Sequence, residues 1–84
     1  MSENDEKIKA KLYKIVEDMF EKTISDFDED LRKCGLDSMS SVMLILTIEQ
    51  EFQIQFPFDR ISFENICTVH KLFVTVSECL NGIS

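Results

Sequence analysis

The sequence predicts an all-α protein, a four-helix bundle with three long helices, one short third helix and a long first loop. Three observations lead there. Apolar side chains recur at helical spacing in three stretches, within residues 5–20, 38–53 and 69–80. The single proline and both glycines fall between or beyond those stretches, where a helix must turn or stop. Only Ile61 to Phe63 and Phe73 to Val76 offer a strand reading, and both runs are too short to outweigh the helical pattern.

In the first stretch Ile8, Leu12, Ile15, Val16 and Met19 lie on one helical face, flanked by Tyr13 and Phe20, while Asp5 and Glu6 sit at the end where the helix dipole favours negative charge. From Glu21 to Asp37 the apolar residues Ile24, Phe27, Leu31 and Leu36 have no period, so a long loop pinned to the core at a few points is expected. Such a loop would cross from one end of the bundle to the other and set the second helix parallel to the first. Residues 38–53 form that second helix, with Leu44, Ile45, Ile48 and Phe52 as its core stripe. Pro57 breaks the chain after it, with Phe56 and Phe58 as apolar anchors. A short third helix is expected over residues 62–66 with Ser62 as cap. Thr68 then caps the last helix, whose stripe is Val69, Leu72, Phe73, Val76 and Leu80, and Asn81 and Gly82 close it.

A chain of 84 residues is expected to make a single domain over 1–84, burying about 60 to 65% of the surface it exposes when unfolded. Hydrophobic residues at 44% and charged residues at 30% describe a globular chain. Nine basic against sixteen acidic residues give a net charge of −7, which repels both nucleic-acid phosphates and anionic lipid. Enzymes with basic docking patches suit such a surface better. With no apolar leader at the amino terminus and no apolar run of membrane-spanning length, a cytoplasmic monomer without membrane insertion is expected. Cys34, Cys67 and Cys79 are odd in number and lack Cys-x-x-Cys spacing, which supports neither a disulfide framework nor a zinc site. Cys67 and Cys79 are expected inside as small hydrophobes. Cys34 is expected exposed, with Arg32 and Lys33 lowering its pKa. Asp26, Asp28, Asp30 and Asp37 fall at calcium-loop spacing, but Leu31 stands where that loop needs glycine and Asp37 where it needs glutamate. No metal is expected, and His70 is expected to be a plain exposed helix residue.

The stretch with functional character is Cys34-Gly35-Leu36-Asp37-Ser38-Met39-Ser40-Ser41. Gly35 permits a sharp turn, Asp37 stands at an N-cap position, and Ser38 follows at the positive end of the second helix. Such an end favours an attached phosphate by roughly 0.3 to 1 kcal/mol at an exposed site. Beyond its core stripe, that helix carries a second apolar stripe, Met39, Val42, Met43 and Leu46, ending near Glu49 and Gln50. A domain this small cannot easily bury both, so the second stripe is a candidate docking surface for partners.

Gly35-Leu36-Asp37-Ser38-Met39, followed by Val42, Leu44, Ile45, Ile48, Glu49, Glu51 and Phe52, resembles the attachment site and second helix of the acyl carrier protein family. Phe56-Pro57 and Ile66-Cys67-Thr68-Val69 extend the resemblance over residues 8–81. It implies that Ser38 accepts 4′-phosphopantetheine from coenzyme A through a separate phosphopantetheinyl transferase, with Asp37 as helix cap and recognition residue. It also implies that the terminal thiol of the arm holds acyl or aminoacyl intermediates as thioesters. Acyl- or aminoacyl-loading enzymes and downstream synthases would be the other partners, met by Met39, Val42, Met43, Leu46 and Glu49. Such a protein is a shuttle rather than a catalyst.

Fatty-acid carriers usually bear acidic residues where this chain has Ser40 and Met43, so fatty-acid biosynthesis is the weaker assignment. Asp37-Ser38-Met39 and Phe58-Asp59-Arg60 resemble D-alanyl carriers. Ile61-Ser62-x-Glu64-Asn65-Ile66-x-Thr68-Val69 is similar to free-standing carriers of polyketide and nonribosomal peptide pathways. The sequence favours a dedicated carrier of a specialised pathway, with a D-alanyl or other aminoacyl carrier, or a cofactor-free acidic helical adaptor, as the alternatives. A serine hydrolase is disfavoured, because the chain has one histidine and no Gly-x-Ser-x-Gly elbow.

Overall fold

The structure, a computed structural model, describes residues 3–82. It is all-helical, with α1 over Glu3–Phe20, α2 over Ser38–Phe52, a single-turn α3 over Phe63–Ile66 and α4 over Val69–Leu80. Two 3₁₀ turns interrupt the connections, at Leu31–Cys34 and Phe58–Arg60. The short third helix and the long first loop thus stand where the sequence pattern places them.

One apolar core holds the helices together. From α1 it takes Ile8, Leu12 and Val16, from α2 Leu44, Ile45 and Ile48, and from α4 Val69, Leu72 and Val76. Each set keeps the spacing that brings side chains to one helical face. The loop between α1 and α2 adds Ile24, Leu31 and Leu36, so it is fastened inward at three points rather than draped over the surface. Main-chain bonds fasten it also to the start of α4: Leu31 N–H donates to the Cys67 carbonyl at 2.8 Å and His70 N–H to the Phe27 carbonyl at 3.0 Å. His70 is exposed, as expected, but its ring stacks on Phe27 at 4.6 Å and its Nδ1 lies 2.8 Å from Asp28 Oδ1. The Lys9 ammonium lies 4.8 Å from the Phe27 ring centre and 5.4 Å from that of Phe73.

The loop does not cross the bundle. A Cβ on Gly35, just before α2, would stand 3.6 Å from the Phe20 ring at the end of α1. At the opposite end the Lys11 ammonium lies 5.5 Å from the centre of the Phe52 ring. Helices α1 and α2 are therefore antiparallel, contrary to the parallel arrangement inferred from loop length. Leu80 and Asn81 line a groove with Asn4, Asp5 and Ile8, so α4 also runs against α1. The reason is anchoring: the chain runs back along α1 as far as Tyr13, whose ring is 6.3 Å from that of Phe27, and then returns to Phe20. Its length goes into that excursion and its three core side chains.

Other departures are local. Phe58 is 92% exposed and anchors nothing, whereas Phe56 is buried. Phe52 is only half-buried, at the margin of the core, and Leu80 is exposed. Helix α2 ends at Gln53, in left-handed geometry with φ 53°, well before Pro57. Ser62 occupies the N-cap position of α3 but accepts no backbone N–H there; its hydroxyl takes a hydrogen bond from Asn65 Nδ2. Thr68 caps α4 as expected, accepting from Lys71 N–H at 3.0 Å.

Because Leu44 is wholly enclosed at the centre of α2, Leu44→Ala should cost about 2 to 5 kcal/mol, a large share of the stability of so small a domain. Phe58→Ala should change stability by no more than about 0.5 kcal/mol. Urea titrations of both variants, followed by circular dichroism, check the contrast.

Candidate functional site

The start of α2 is built by a glycine turn and a reciprocal cap. Gly35 adopts φ 119°, a left-handed conformation that residues with a side chain rarely take, and its N–H closes the 3₁₀ turn on the Leu31 and Arg32 carbonyls. Asp37 then takes extended geometry as N-cap. Its Oδ1 accepts from Ser40 N–H at 2.9 Å, while its own N–H donates to Ser40 Oγ at 2.9 Å. This is a capping box with serine at the third helical position, and it satisfies two main-chain donors at once. Ser40 also places its hydroxyl 3.0 Å from Asp37 Oδ1. Together these bonds hold the Asp37 carboxyl below the ordinary carboxylate range, Ser40 being the main cause.

Three serines crowd the first turn, and the structure separates them. Ser40 is committed to the cap. Ser41 is buried and its hydroxyl donates to the Ser38 carbonyl at 2.8 Å. Ser38 is exposed, and among the described residues its hydroxyl has no hydrogen-bond partner. It opens onto a shallow groove lined by Asp37, Met39, Val42 and Met43.

The second stripe of α2 lies outside the core. Met39 is 77% exposed, Met43 58%, Val42 57% and Leu46 52%, so four large apolar side chains face solvent in a continuous row beginning one residue after Ser38. Glu49, grouped with them by sequence, is half-buried. Its Oε2 accepts the Phe56 N–H at 2.9 Å, which ties the end of α2 to the connection that follows. One of its carboxylate oxygens therefore serves the fold.

Cys34 departs furthest from expectation. It is half-buried, its thiol donates to Glu29 Oε2 at 3.3 Å, and burial followed by that carboxylate pushes its pKa up rather than down. Arg32 cannot help, because both Asp30 oxygens hold its guanidinium, at 3.0 and 2.9 Å. Cys67 is buried as expected, and Cys79 is half-buried. The four aspartates at calcium-loop spacing go to separate tasks. Asp26 accepts the Asp28 N–H, Asp28 meets His70, Asp30 holds Arg32 and Asp37 caps α2. No cluster of metal-ligating side chains is found among the described residues.

The model of the phosphopantetheine attachment site family matches residues 10–72, most of the chain. The chain belongs to the phosphopantetheine-binding carrier family. D-alanyl carrier proteins are among its relatives: it is 38% identical to that of Streptococcus sanguinis and 36% identical to those of Streptococcus gordonii and Streptococcus mutans. Each match spans 77 residues, 89% of this chain and 98% of the relative. Carriers of this family bear covalently attached 4′-phosphopantetheine and work with a phosphopantetheinyl transferase and loading enzymes. The helix start fits such a group: it offers an exposed hydroxyl without a competing hydrogen bond, at the end of a helix whose dipole favours phosphate. No helix of the carrier is long and apolar enough, among the described residues, to cross a membrane.

The Asp37 carboxyl titrates lower in the folded carrier than in the unfolded chain, so its contribution to stability is fully present above the ordinary value of 3.8 and is lost as pH falls through the depressed one. The stability gap between wild type and Asp37→Asn should therefore hold steady from pH 7 to 5 and shrink below pH 4. Paired denaturant titrations across that range measure it.

Proposed function

We propose that the carrier bears its phosphopantetheine arm on Ser38 and holds a small aminoacyl group, D-alanine being the first to test. The observation that carries the attachment point is the sorting of serines at the start of α2, where Ser38 alone presents a hydroxyl that is both exposed and unbonded. When attached, the arm supplies a terminal thiol on which cargo is held as a thioester. The protein's own part is to present Ser38 on a rigid helix start and to offer a surface that enzymes grip and release; it is not itself a catalyst. His70, the one imidazole in the chain, is engaged with Asp28 and Phe27 and gives Ser38 no general base.

For the cargo, support comes from relatives that are D-alanyl carriers along nearly their whole length, and from the Asp37-Ser38-Met39 and Phe58-Asp59-Arg60 runs. A second reading, a carrier of polyketide or nonribosomal peptide intermediates, is favoured by the run from Ile61 to Val69. Intact mass separates the readings. Incubation with coenzyme A and a broad-specificity transferase should add one phosphopantetheine to the wild type and none to a folded Ser38→Ala variant. A ligase that loads D-alanyl carriers should then add one alanyl group. Failure of the first addition defeats the attachment point, whereas failure of the second alone defeats the cargo.

Met39, Val42, Met43 and Leu46 are the surface we assign to partner docking. With Met43 in place of an acid, recognition rests more on apolar area than on charge, and thioether side chains adapt to partners of different shape. Met43→Glu should leave stability within about 0.5 kcal/mol, since the side chain is exposed. Transferase KM should rise clearly in this variant, and added salt should change the wild-type KM only slightly. Unfolding of Met43→Glu, or an unchanged KM, would remove this face from the docking surface.

A further inference from the structure

Ser40 and Asp37 share most of the hydrogen bonds at the start of α2, and nothing in the attachment chemistry requires a serine two residues after the acceptor. Its Oγ accepts the Asp37 N–H at 2.9 Å and lies 3.0 Å from Asp37 Oδ1, with the Gly35 and Asp37 carbonyls both at 3.4 Å. Its own N–H donates to Asp37 Oδ1 at 2.9 Å. One residue therefore ties the cap to the third helical position, with the carbonyl of the left-handed Gly35 as an alternative acceptor for the same hydroxyl proton, and Ser38 lies within that turn. We propose that Ser40 is a positioning residue for phosphopantetheinyl transfer: by locking the turn from Gly35 through the first helical residues, it holds the Ser38 hydroxyl in the orientation the transferase needs. This rests on Ser38 being the acceptor.

In the transfer, Ser38 Oγ forms a new bond to the phosphorus next to the pantetheine in coenzyme A. The bond from that phosphorus to the bridging oxygen breaks, the nucleotide half leaves with the electron pair, and the hydroxyl proton passes to a base of the transferase. The step is an in-line displacement and is sensitive to where the attacking oxygen stands. Ser40 touches none of the reacting atoms. Asp37 stays ionised at neutral pH, since its hydrogen bonds favour the charged form.

The test compares Ser40→Ala, Ser40→Thr and Thr68→Ala, each as the full chain with coenzyme A and a transferase. Thr68→Ala removes the side-chain cap of α4 and serves as a control for lost stability away from the site. Ser40→Ala should lower kcat for phosphopantetheine transfer by roughly threefold to tenfold with KM nearly unchanged. Ser40→Thr, which restores a hydroxyl, should recover most of that loss. Thr68→Ala should keep wild-type kcat although it melts earlier. Amide hydrogen exchange on the apo and loaded carrier should show faster exchange at Asp37 in Ser40→Ala alone. Wild-type kcat in Ser40→Ala, or an equal drop in Thr68→Ala, overturns the assignment. Transfer to Ser38→Ala would instead defeat the attachment point itself, so the two failures are distinguishable.

Discussion

The arrangement of this protein follows from one constraint: a single small core can cover only one face of its central helix. Leu44, Ile45 and Ile48 are drawn inward against Leu12, Val16, Leu72 and Val76, and no further layer exists to receive Met39, Val42, Met43 and Leu46. In a larger domain an apolar second face would be buried by another helix. Here the same residues remain in contact with water, and their position directly after Ser38 turns a packing shortfall into a surface beside the proposed attachment point. The folding of α2 and the exposure of its outer stripe are thus two results of the same limit on core size.

The first loop is the second consequence. Three helices of unequal length leave a side of the core open, and the loop closes it with Ile24, Leu31 and Leu36 while its main chain bonds to Cys67 and Phe27 bonds to His70. It also carries strain relief at both ends. Glu17 Oε2 receives the Ile24 N–H at 2.8 Å after the left-handed Glu21, and Gly35 takes the positive φ needed to redirect the chain into α2. The turn that presents Ser38 is therefore continuous with the packing of the loop, and its geometry is fixed from both sides.

Helix identity and core membership were legible in the sequence because periodic apolar spacing is a direct record of which face is buried. Ile8, Leu12, Leu44, Ile48, Leu72 and Val76 all lie where that spacing puts them. The direction of α2 was not, because loop length bounds how far a chain can travel without saying whether it returns. Three buried apolar residues within an aperiodic loop were the available sign that it packs inward. Asp37 as cap was readable from its place before an apolar run, whereas the part played by Ser40 was hidden by its type. A capping box usually announces itself with glutamate or glutamine at the third position, and serine two residues after another serine reads as composition. Cys34 was misplaced because its pKa is set by burial and by the Glu29 carboxylate, which only the folded path of the loop brings to the thiol.

In a molecule of net charge −7, several acidic side chains near Ser38 in sequence are already engaged within the fold. Of the acidic residues closest to the site in sequence, Asp37 has one carboxylate oxygen in the cap, Asp30 holds Arg32, Glu29 accepts from Cys34, Asp28 meets His70 and Glu49 accepts from the Phe56 amide. A carboxylate that already accepts such bonds offers a partner's lysine or arginine fewer open lone pairs and a fixed approach. Meanwhile the four exposed apolar residues along α2 present no charge at all. Long-range attraction to a basic enzyme would still come from the molecule as a whole and speed encounter. On the docking face we propose, the contact formed after encounter would rest on methionine, valine and leucine, with overall charge steering the carrier and the outer face of α2 holding it.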